Sequence, residues 1–337
     1  MAINVTANVT PIAVIQVKPG IGDVVWHLPF IRAIAAAAPE RQVTFFAPPT
    51  SAATDLLAAE RCVAATVYFE HAGSELQRGI NLLRLVALLR RYRLQSIWIL
   101  DRTIRPGTRR GTRWHSRADR AWAWPAELFH HQSRDRSGAL SRSSDRLATR
   151  LDGGDECTPA LDRAGPAVVD KSADHGWRKV CTVPPPWAAI GIGASHPEKD
   201  WPDNSWREFL RGLQTPGTVF LVGGPANEAR AEQFVAASGS GQIVNACALP
   251  LIEAAALLRL ADLFVVPSSG PLNLAAAGGT DAFGLFGSTP VLTYSKFIHA
   301  IVPEGGPSAG GMTRIAPAQV LERIAPSLSR RKMQPRR

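Results

Sequence analysis

Residues 264–278 constrain the fold more than any other part of the sequence. Residues 264–266 form an apolar run that predicts a buried strand. Ser268 or Ser269 then offers a helix N-cap, Gly270 a flexible turn, and Pro271 the residue best tolerated in the first turn of a helix. The residues that follow are small and apolar, so this helix can lie close to a sheet. A strand, a Ser-Gly turn and a helix in this order predict a parallel α/β sheet.

The same turn predicts a binding site for an anion. The first backbone N–H groups of a helix have no intrahelical partner and lie at the positive end of the helix dipole, where a phosphate binds well. A second turn of this kind, Gly287-Ser-Thr-Pro290, follows the apolar run at residues 283–286. Two such turns in succession suggest one pyrophosphate site, although Ser/Gly turns also follow strands in α/β proteins without this function.

The beginning of the sequence shows the same alternation. Residues 11–17 predict a buried strand, which ends in the glycine-rich turn Lys18-Pro-Gly-Ile-Gly-Asp23 and opens a helix at residues 24–37. This unit predicts the start of a doubly wound sheet. The turn has only two glycines and lacks the full dinucleotide pattern, so it is weak evidence for NAD. Further predicted elements are helices at 50–60 and 76–91 and strands at 43–46, 64–69 and 95–100.

The second half of the chain repeats this pattern. We therefore predict an α/β fold of two Rossmann-like, doubly wound parallel-sheet domains facing a central cleft. The N-terminal domain is expected at residues 1–175, the C-terminal domain at 186–322 and a basic tail at 323–337. The terminal helix is expected to pack back across the domain junction. The predicted elements of this half are strands at 187–192, 218–222 and 243–245 and helices at 206–213, 229–237, 251–260 and 314–328.

Composition excludes several classes of protein. No apolar run approaches the ~18 residues that a membrane-spanning helix needs, and the first residues lack the pattern of a secretory signal. The four cysteines, Cys62, Cys157, Cys181 and Cys247, show no metal or redox spacing. Unpaired thiols in a reducing cytoplasm are the simplest account, and we expect a cytoplasmic protein.

The net charge of +10 favours an anionic partner. Residues 102–150 carry much of it, with twelve arginines against four acidic residues. Nucleic acid is disfavoured because this segment has no recognisable recognition helix, zinc spacing or aromatic RNA-binding motif. The segment remains a candidate to contact a phosphorylated substrate or an anionic membrane face, or is simply a solvated loop. The amphipathic helix at 76–91 could also touch a membrane, but packing on the sheet is the favoured interpretation.

An ordered set of short motifs, spanning roughly residues 12–290, resembles glycosyltransferase family 9, the lipopolysaccharide heptosyltransferases with a GT-B fold. Each motif is only moderately specific, and the order of the set carries the resemblance. The motifs are Gly20-Ile-Gly-Asp23 with Leu28-Pro29, Lys199-Asp-Trp-Pro202 with Trp206, Gly223-Gly-Pro225 with Glu228, Ser269-Gly-Pro271 with Leu274-Ala-Ala276, and Leu285-Phe-Gly287.

The resemblance implies an enzyme that binds a nucleotide-sugar donor, ADP-heptose-like by default, in its second domain. Asp23 then matches the general base of an inverting displacement, and Lys199 the lysine that contacts the donor phosphates. The acceptor, an anionic glycolipid or glycan, would meet Gly22, Arg102 and Arg105 in the first domain. No obligatory cofactor and no metal ligand are assigned, and a need for a divalent metal stays open. The remaining donor-site residues are Ser195, Glu228 (for ribose hydroxyls), Ser268, Ser269, Gly270, Pro271, Asn273 and Gly287.

Two residues depart from the pattern of the family. Ser268 stands where the family usually has Asp, and Asn273 where it has His. Both changes remove a charge or a charged donor while keeping hydrogen-bonding capacity. They leave open a non-catalytic or altered nucleotide-sugar binder and, less favoured, an epimerase that acts on the nucleotide-sugar itself. A peripheral position on the inner membrane is an open alternative to a purely cytoplasmic one.

Overall fold

A computed structural model describes residues 10–70, 73–92, 94–100, 187–213, 217–238, 242–293 and 295–330. The chain divides into two compact units, one containing residues 10–100 and the other residues 187–330. Each unit is built on its own parallel sheet, which confirms the predicted α/β class. Among the described helices, none combines the length and the apolar composition that crossing a membrane would require.

The N-terminal unit contains a four-stranded parallel sheet in the order β3-β2-β1-β4. The chain adds β2 and β3 on one side of β1 and then adds β4 on the other side of β1. The direction in which strands are added to the sheet therefore reverses between β1 and β4. The elements are β1 (Ile12–Ile15), α1 (Ile21–Ala37), β2 (Val43–Ala47), α2 (Ala53–Leu57), β3 (Val63–Tyr68), α3 (Glu75–Arg91) and β4 (Ser96–Ile99).

Local chemistry explains most of these boundaries. β1 and β2 are short apolar runs buried on both faces, as expected of inner parallel strands. The side chain of Ser74 caps α3 by accepting a hydrogen bond from the Gln77 amide at 3.3 Å. The single helix predicted at residues 50–60 was wrong. It is replaced by a 3₁₀ turn at Pro49–Ser51 and the short α2, because Ala52 between them adopts a left-handed conformation with φ 50°.

Helix α3 covers the sheet on one face, as the favoured interpretation required. Leu85 is buried in a core cluster with Ile15 and Phe46 of the sheet, and Leu88 and Leu89 pack against the same cluster. These contacts orient the helix and leave its opposite face outward.

The C-terminal unit contains a six-stranded parallel sheet in the order β10-β9-β8-β5-β6-β7. Here the direction of winding reverses between β5 and β8, which pair in register from Ala188 with Leu263 to Ile190 with Val265. The elements are β5 (Trp187–Gly191), α4 (Asp203–Gly212), β6 (Thr218–Val222), α5 (Glu228–Ser238), β7 (Ile243–Asn245), α6 (Leu251–Leu260), β8 (Leu263–Pro267), α7 (Gly270–Ala277), β9 (Ala282–Leu285), β10 (Ile298–Ile301) and α8 (Pro317–Arg330).

The terminal helix α8 packs on α4 of its own unit, and its packing across the domain junction stays a prediction. Leu321 lies so close to Gly212 that a Cβ at Gly212 would come within 2.5 Å of its side chain. α8 also runs past residue 323, where the basic tail was expected to begin. Strand β10 was not predicted, because it is a short edge strand in which three of the four residues are only partly buried, the polar His299 among them.

Candidate functional site

The carboxyl ends of β5, β8 and β9 lie side by side in the C-terminal sheet. β8 pairs with β5 on one side and with β9 on the other, with Pro267 opposite Leu285 at the last position. Open α/β sheets bind ligands beyond the carboxyl ends of their strands, at the point where the winding reverses. The turns that follow these three strands carry most of the residues predicted to bind the donor.

The turn after β8 leads directly into helix α7. The Ser268 amide donates to the Leu285 carbonyl at 3.1 Å, which ties this turn to the end of β9. Ser269 is the N-cap residue, with extended backbone (φ −144°, ψ 177°), but its side chain makes no capping hydrogen bond. Gly270 and Pro271 begin the helix, so its dipole is directed as predicted, with its positive end at the turn. Asn273 lies one turn further on and is partly buried.

Buried polar atoms without a partner concentrate in this part of the molecule. Within the described residues, five buried side-chain nitrogen or oxygen atoms make no hydrogen bond: Asp200 Oδ1, Trp206 Nε1, Ser269 Oγ, Ser288 Oγ and Thr289 Oγ1. Three of them are the hydroxyls of the two turns that the sequence pattern predicted to hold a pyrophosphate. Because buried hydroxyls are nearly always paired in proteins, these turns are prepared for a polar ligand or for ordered water. Ser288 and Thr289 were not singled out from the sequence, although they lie in the second predicted turn.

Gly287, predicted to bind the donor, is closely packed against the segment at residues 311–312. A Cβ at this residue would overlap the backbone of Gly311 and Met312, so the absence of a side chain is required by close packing. Its amide hydrogen bond is directed to Met312 Sδ at 3.2 Å, and its carbonyl accepts from the Ser308 amide at 2.8 Å. Gly287 therefore shapes the turn, and the hydroxyls next to it are the groups left to contact a ligand.

The connection after β5 carries Ser195 and Lys199. Ser195 is exposed, and Lys199 closes a 3₁₀ turn at Pro197–Lys199 and is partly exposed. Among the described residues, no carboxylate lies within salt-bridge distance of the Lys199 ammonium. An ammonium that is not neutralised by the protein is suited to the charge of a phosphate.

Arg230 on α5 holds this connection in place. Its guanidinium bonds Asp200 Oδ2 at 2.7 Å and Asp203 Oδ1 at 2.8 Å. It also donates to the main-chain carbonyls of Ile192 and Trp201, which lie on either side of the Lys199 turn. Burial raises the pKa of Asp200 above its usual value, while the charge of Arg230 acts in the opposite direction. Sequence reasoning missed Arg230, because nothing local to it indicates four partners some 30 residues earlier in the chain.

An aromatic cluster anchors the other end of the same connection. Trp201 and Trp206 are fully buried and meet edge to face at 4.8 Å between ring centroids. The Trp201 indole donates to the Ile315 carbonyl at 3.0 Å. The Lys199 turn is thus fixed on one side by Arg230 and on the other by buried rings.

Glu228, the predicted ribose contact, is exposed at the first position of α5. The residue before it, Asn227, contacts the backbone at the ends of β5 and β6. A Cβ at Gly193 would lie 2.5 Å from Asn227 Oδ1, and one at Gly223 would lie 2.9 Å from its Cβ. The lack of side chains at Gly193 and Gly223 therefore leaves room for the Asn227 amide at the end of β5.

Asp23 lies in the N-terminal unit, in the first turn of α1. Its carboxylate folds back over Gly20, and Oδ1 lies 3.8 Å from the Lys18 ammonium. Behind the turn, Gln16 donates to the Lys18 carbonyl and accepts from Nδ1 of His27, both at 3.0 Å. Gln16 and His27 are buried, so this chain of hydrogen bonds fixes the glycine turn and with it the carboxylate. Lys18, Gln16 and His27 were not identified from the sequence as residues that position Asp23, although Lys18 begins the predicted glycine-rich turn.

The predicted acceptor residues are only partly within the described structure. Gly22 is buried in the first turn of α1, whereas Arg102 and Arg105 lie outside the described residues. The described residues contain no group of three or more His, Cys, Asp or Glu side chains able to hold a metal ion.

The model of glycosyltransferase family 9 (heptosyltransferase) matches residues 92–298, more than half of the sequence. The chain belongs to this family. Its members are glycosyltransferases, and this activity follows for the chain as an enzyme class. No curated protein matches the sequence significantly.

Solved structures agree on the fold. ADP-heptose LPS heptosyltransferase II of E. coli has a TM-score of 0.66 and 19% identity, and the alignment covers 95% of this chain and 99% of that one. The E. coli heptosyltransferase WaaC with ADP has a TM-score of 0.61 and 16% identity, with 96% and 100% covered. The UDP-GlcNAc 2-epimerase of Methanocaldococcus jannaschii has a TM-score of 0.52 and 10% identity, with 94% and 92% covered. These similarities confirm the GT-B-like architecture of two parallel-sheet domains.

Proposed function

We propose that the chain transfers a heptosyl group from a nucleotide-diphosphate donor, ADP-heptose by default, to lipopolysaccharide or another surface glycan with inversion at the anomeric carbon. The observation that carries the proposal is the set of buried, unpartnered hydroxyls of Ser269, Ser288 and Thr289. They occur in the two turns at the carboxyl ends of β8 and β9, beside the helix terminus that favours phosphate. The ADP held by a WaaC structure of the same family supports this choice of donor.

The donor diphosphate would be the leaving group of the reaction. As the bond between the anomeric carbon and the phosphate oxygen breaks, negative charge develops on the diphosphate. The Lys199 ammonium stabilises this charge electrostatically. The three hydroxyls and the first backbone amides of α7 stabilise it by donating hydrogen bonds. Because Arg230 and the buried tryptophans hold the Lys199 turn, these groups need little reorganisation when the charge develops.

Asp23 would act as the general base. It takes the proton of the acceptor hydroxyl while that oxygen forms its bond to the anomeric carbon. The carboxylate lies at the N-terminus of α1, and the Lys18 ammonium lies 3.8 Å from its Oδ1, so positive charge surrounds the group that accepts the proton. The Gln16–His27 hydrogen bonds limit the movement of the turn, so that the carboxylate keeps its direction.

Turnover of sugar nucleotides with glycan acceptors tests the proposal. Asp23→Asn is expected to lower kcat by at least about a hundredfold with little change in ADP affinity, since general bases contribute roughly 10²–10⁴ in rate. Asp55→Asn is the matched control, because Asp55 is an exposed acid in the first turn of another helix of the same unit. Equal turnover of wild type and Asp23→Asn would refute the assignment.

Lys199 is tested separately by binding. Lys199→Met is expected to weaken ADP binding and to lower kcat, because a phosphate-contacting cation acts in both the ground state and the transition state. Lys296→Met serves as the control, since Lys296 is an exposed lysine of the same unit. Unchanged ADP affinity in Lys199→Met would show that the donor phosphates bind elsewhere.

A second candidate function is a nucleotide-sugar binder without transferase activity. Ser268 and Asn273, at the donor turn, are the observation that favours it. Calorimetry that detects donor binding, with neither transfer nor hydrolysis in any assay, would support this candidate. An epimerase is less favoured, and product analysis in the absence of acceptor distinguishes it from a transferase.

A further inference from the structure

The exposed large hydrophobic side chains of the described residues all lie on one helix. Leu76, Ile80, Leu82 and Leu83 of α3 are 77%, 38%, 57% and 63% exposed. Scattered exposed apolar residues are normal on a protein surface, but a cluster on a single element marks an interaction surface.

Three of these residues form a line along the helix. Leu76, Ile80 and Leu83 are spaced i, i+4 and i+7, so they project from the same side of α3. The buried Leu85 lies half a turn away, on the side that packs against the sheet. Leu82 is rotated away from the middle of the line by about 130°. We call the surface formed by Leu76, Ile80 and Leu83 the outer face of α3.

Arginines border this face. Arg84 and Arg91 flank it on one side and Arg90 on the other, and all three are exposed. The only acidic residue of the helix is Glu75 at its first position. An apolar strip bordered by cations is the composition of a helix that lies at the interface of an anionic membrane, with its apolar side chains at the acyl boundary.

We propose that the outer face of α3 docks the protein on an anionic lipid bilayer. Leu76, Ile80 and Leu83 enter the boundary between headgroups and acyl chains. The guanidinium groups of the bordering arginines meet lipid phosphates, with their aliphatic stems along the apolar strip. Because α3 is held to the sheet by its other face, docking needs no unfolding of the helix.

Charge complementarity favours a bilayer over two other occupants of this face, namely residues 102–150 of the same chain and a second copy of the chain. Residues 102–150 of the same chain carry twelve arginines against four acidic residues, so this segment would be repelled by the bordering arginines. A second copy of the chain would bring an identical cationic border to a symmetric contact. An anionic lipid surface satisfies both the apolar strip and the charge.

Co-sedimentation of the full chain with vesicles tests the proposal. Wild type is expected to bind vesicles of phosphatidylcholine with phosphatidylglycerol, to bind pure phosphatidylcholine much less, and to be released as salt rises. The double variant Leu76→Ser/Leu83→Ser is expected to reduce partitioning by at least about tenfold, since two leucines lose their burial in lipid. Leu82→Ser is the matched control, with the same residue type and similar exposure but off the line, and should bind as wild type does.

The arginines are tested in the same assay. Arg84→Gln/Arg91→Gln is expected to lower binding to anionic vesicles and to leave the weak binding to phosphatidylcholine unchanged. Arg211→Gln, an exposed arginine of the C-terminal unit, is the control. ADP binding, which does not involve this face, is expected to be equal in all variants, so failure here is distinct from failure of the proposed transferase.

Three results would overturn the proposal. The first is that wild type stays in the supernatant with anionic vesicles. The second is that Leu82→Ser loses as much binding as the double variant. The third is a wild type that self-associates in sedimentation velocity and binds no vesicles, with the double variant monomeric, because the face would then join two copies.

Discussion

Arg230→Met should destabilise the C-terminal unit and weaken its phosphate site together. The substitution removes the guanidinium but keeps an unbranched side chain of similar width over the Phe234 ring, which Arg230 now covers at 5.6 Å. It leaves Asp200 without its cation, Asp203 with only Arg207 at 3.8 Å, and two main-chain carbonyls without the Arg230 donor. The loss therefore concerns the charge and hydrogen bonds of one side chain, and packing changes little.

The magnitude follows from the exposure of the partners. Breaking a fully buried ion pair costs about 3–5 kcal/mol, whereas an exposed pair contributes roughly 0–1 kcal/mol. The side chain of Arg230 is 18% exposed, and those of Asp200 and Asp203 are 30% and 43% exposed. The network lies between the two limits, and we expect a loss of about 2–3 kcal/mol in the free energy of unfolding.

Arg207→Met is the matched control for this measurement. Arg207 also lies over Phe234, at 5.6 Å, and also pairs with Asp203, at 3.8 Å, but at the surface of α4. Its removal should cost no more than about 0.5 kcal/mol. Urea unfolding gives both values, and calorimetry should show ADP affinity lowered on the order of tenfold in Arg230→Met only, because the turn with Lys199 is no longer held.

Equal losses of stability in Arg230→Met and Arg207→Met would refute the reasoning that burial decides the strength of this network. A large loss of stability in Arg230→Met with unchanged ADP affinity would separate the network from the phosphate site.

Gly287→Ala should cost at least about 2 kcal/mol in thermal unfolding, because the new methyl group would overlap the backbone of Met312; a neutral effect would contradict the packing. Burial raises the pKa of the Cys62 and Cys247 thiols to about 11, so alkylation followed by mass spectrometry should be slow at pH 8 and faster towards pH 10, and immediate in urea. Because burial raises the pKa of Asp200 in the folded state, the folded protein binds this proton more tightly than the unfolded chain. Wild type should therefore lose stability relative to Asp200→Asn as pH rises from about 4 through the raised pKa, and parallel curves would rule this out.

Local pattern was sufficient for most elements of the C-terminal unit. The bounds of β6 and α6 agree with those predicted, because inner parallel strands and apolar helices are mostly hydrophobic runs that end at turn residues. The bounds of β7 also agree, although β7 is an edge strand. The prediction failed where a single residue or an edge decided the outcome. Ala52 interrupts a helical pattern by a left-handed conformation, and β10 is too short and too polar to stand out.

The candidate site shows the same division. The sequence alone contained the two phosphate-type turns, the Lys199 turn and the Asp23 turn, since each depends on a few adjacent residues with particular backbone preferences. The sequence alone did not show which of these turns lie next to each other in the folded protein. Only the reversal of winding between β5 and β8 places the Lys199 turn beside the two phosphate-type turns of the same sheet, because the side of a sheet on which a strand adds is decided by packing. Only the folded unit brings Arg230 to the Lys199 turn and Met312 to Gly287, because such contacts join residues that no local pattern relates.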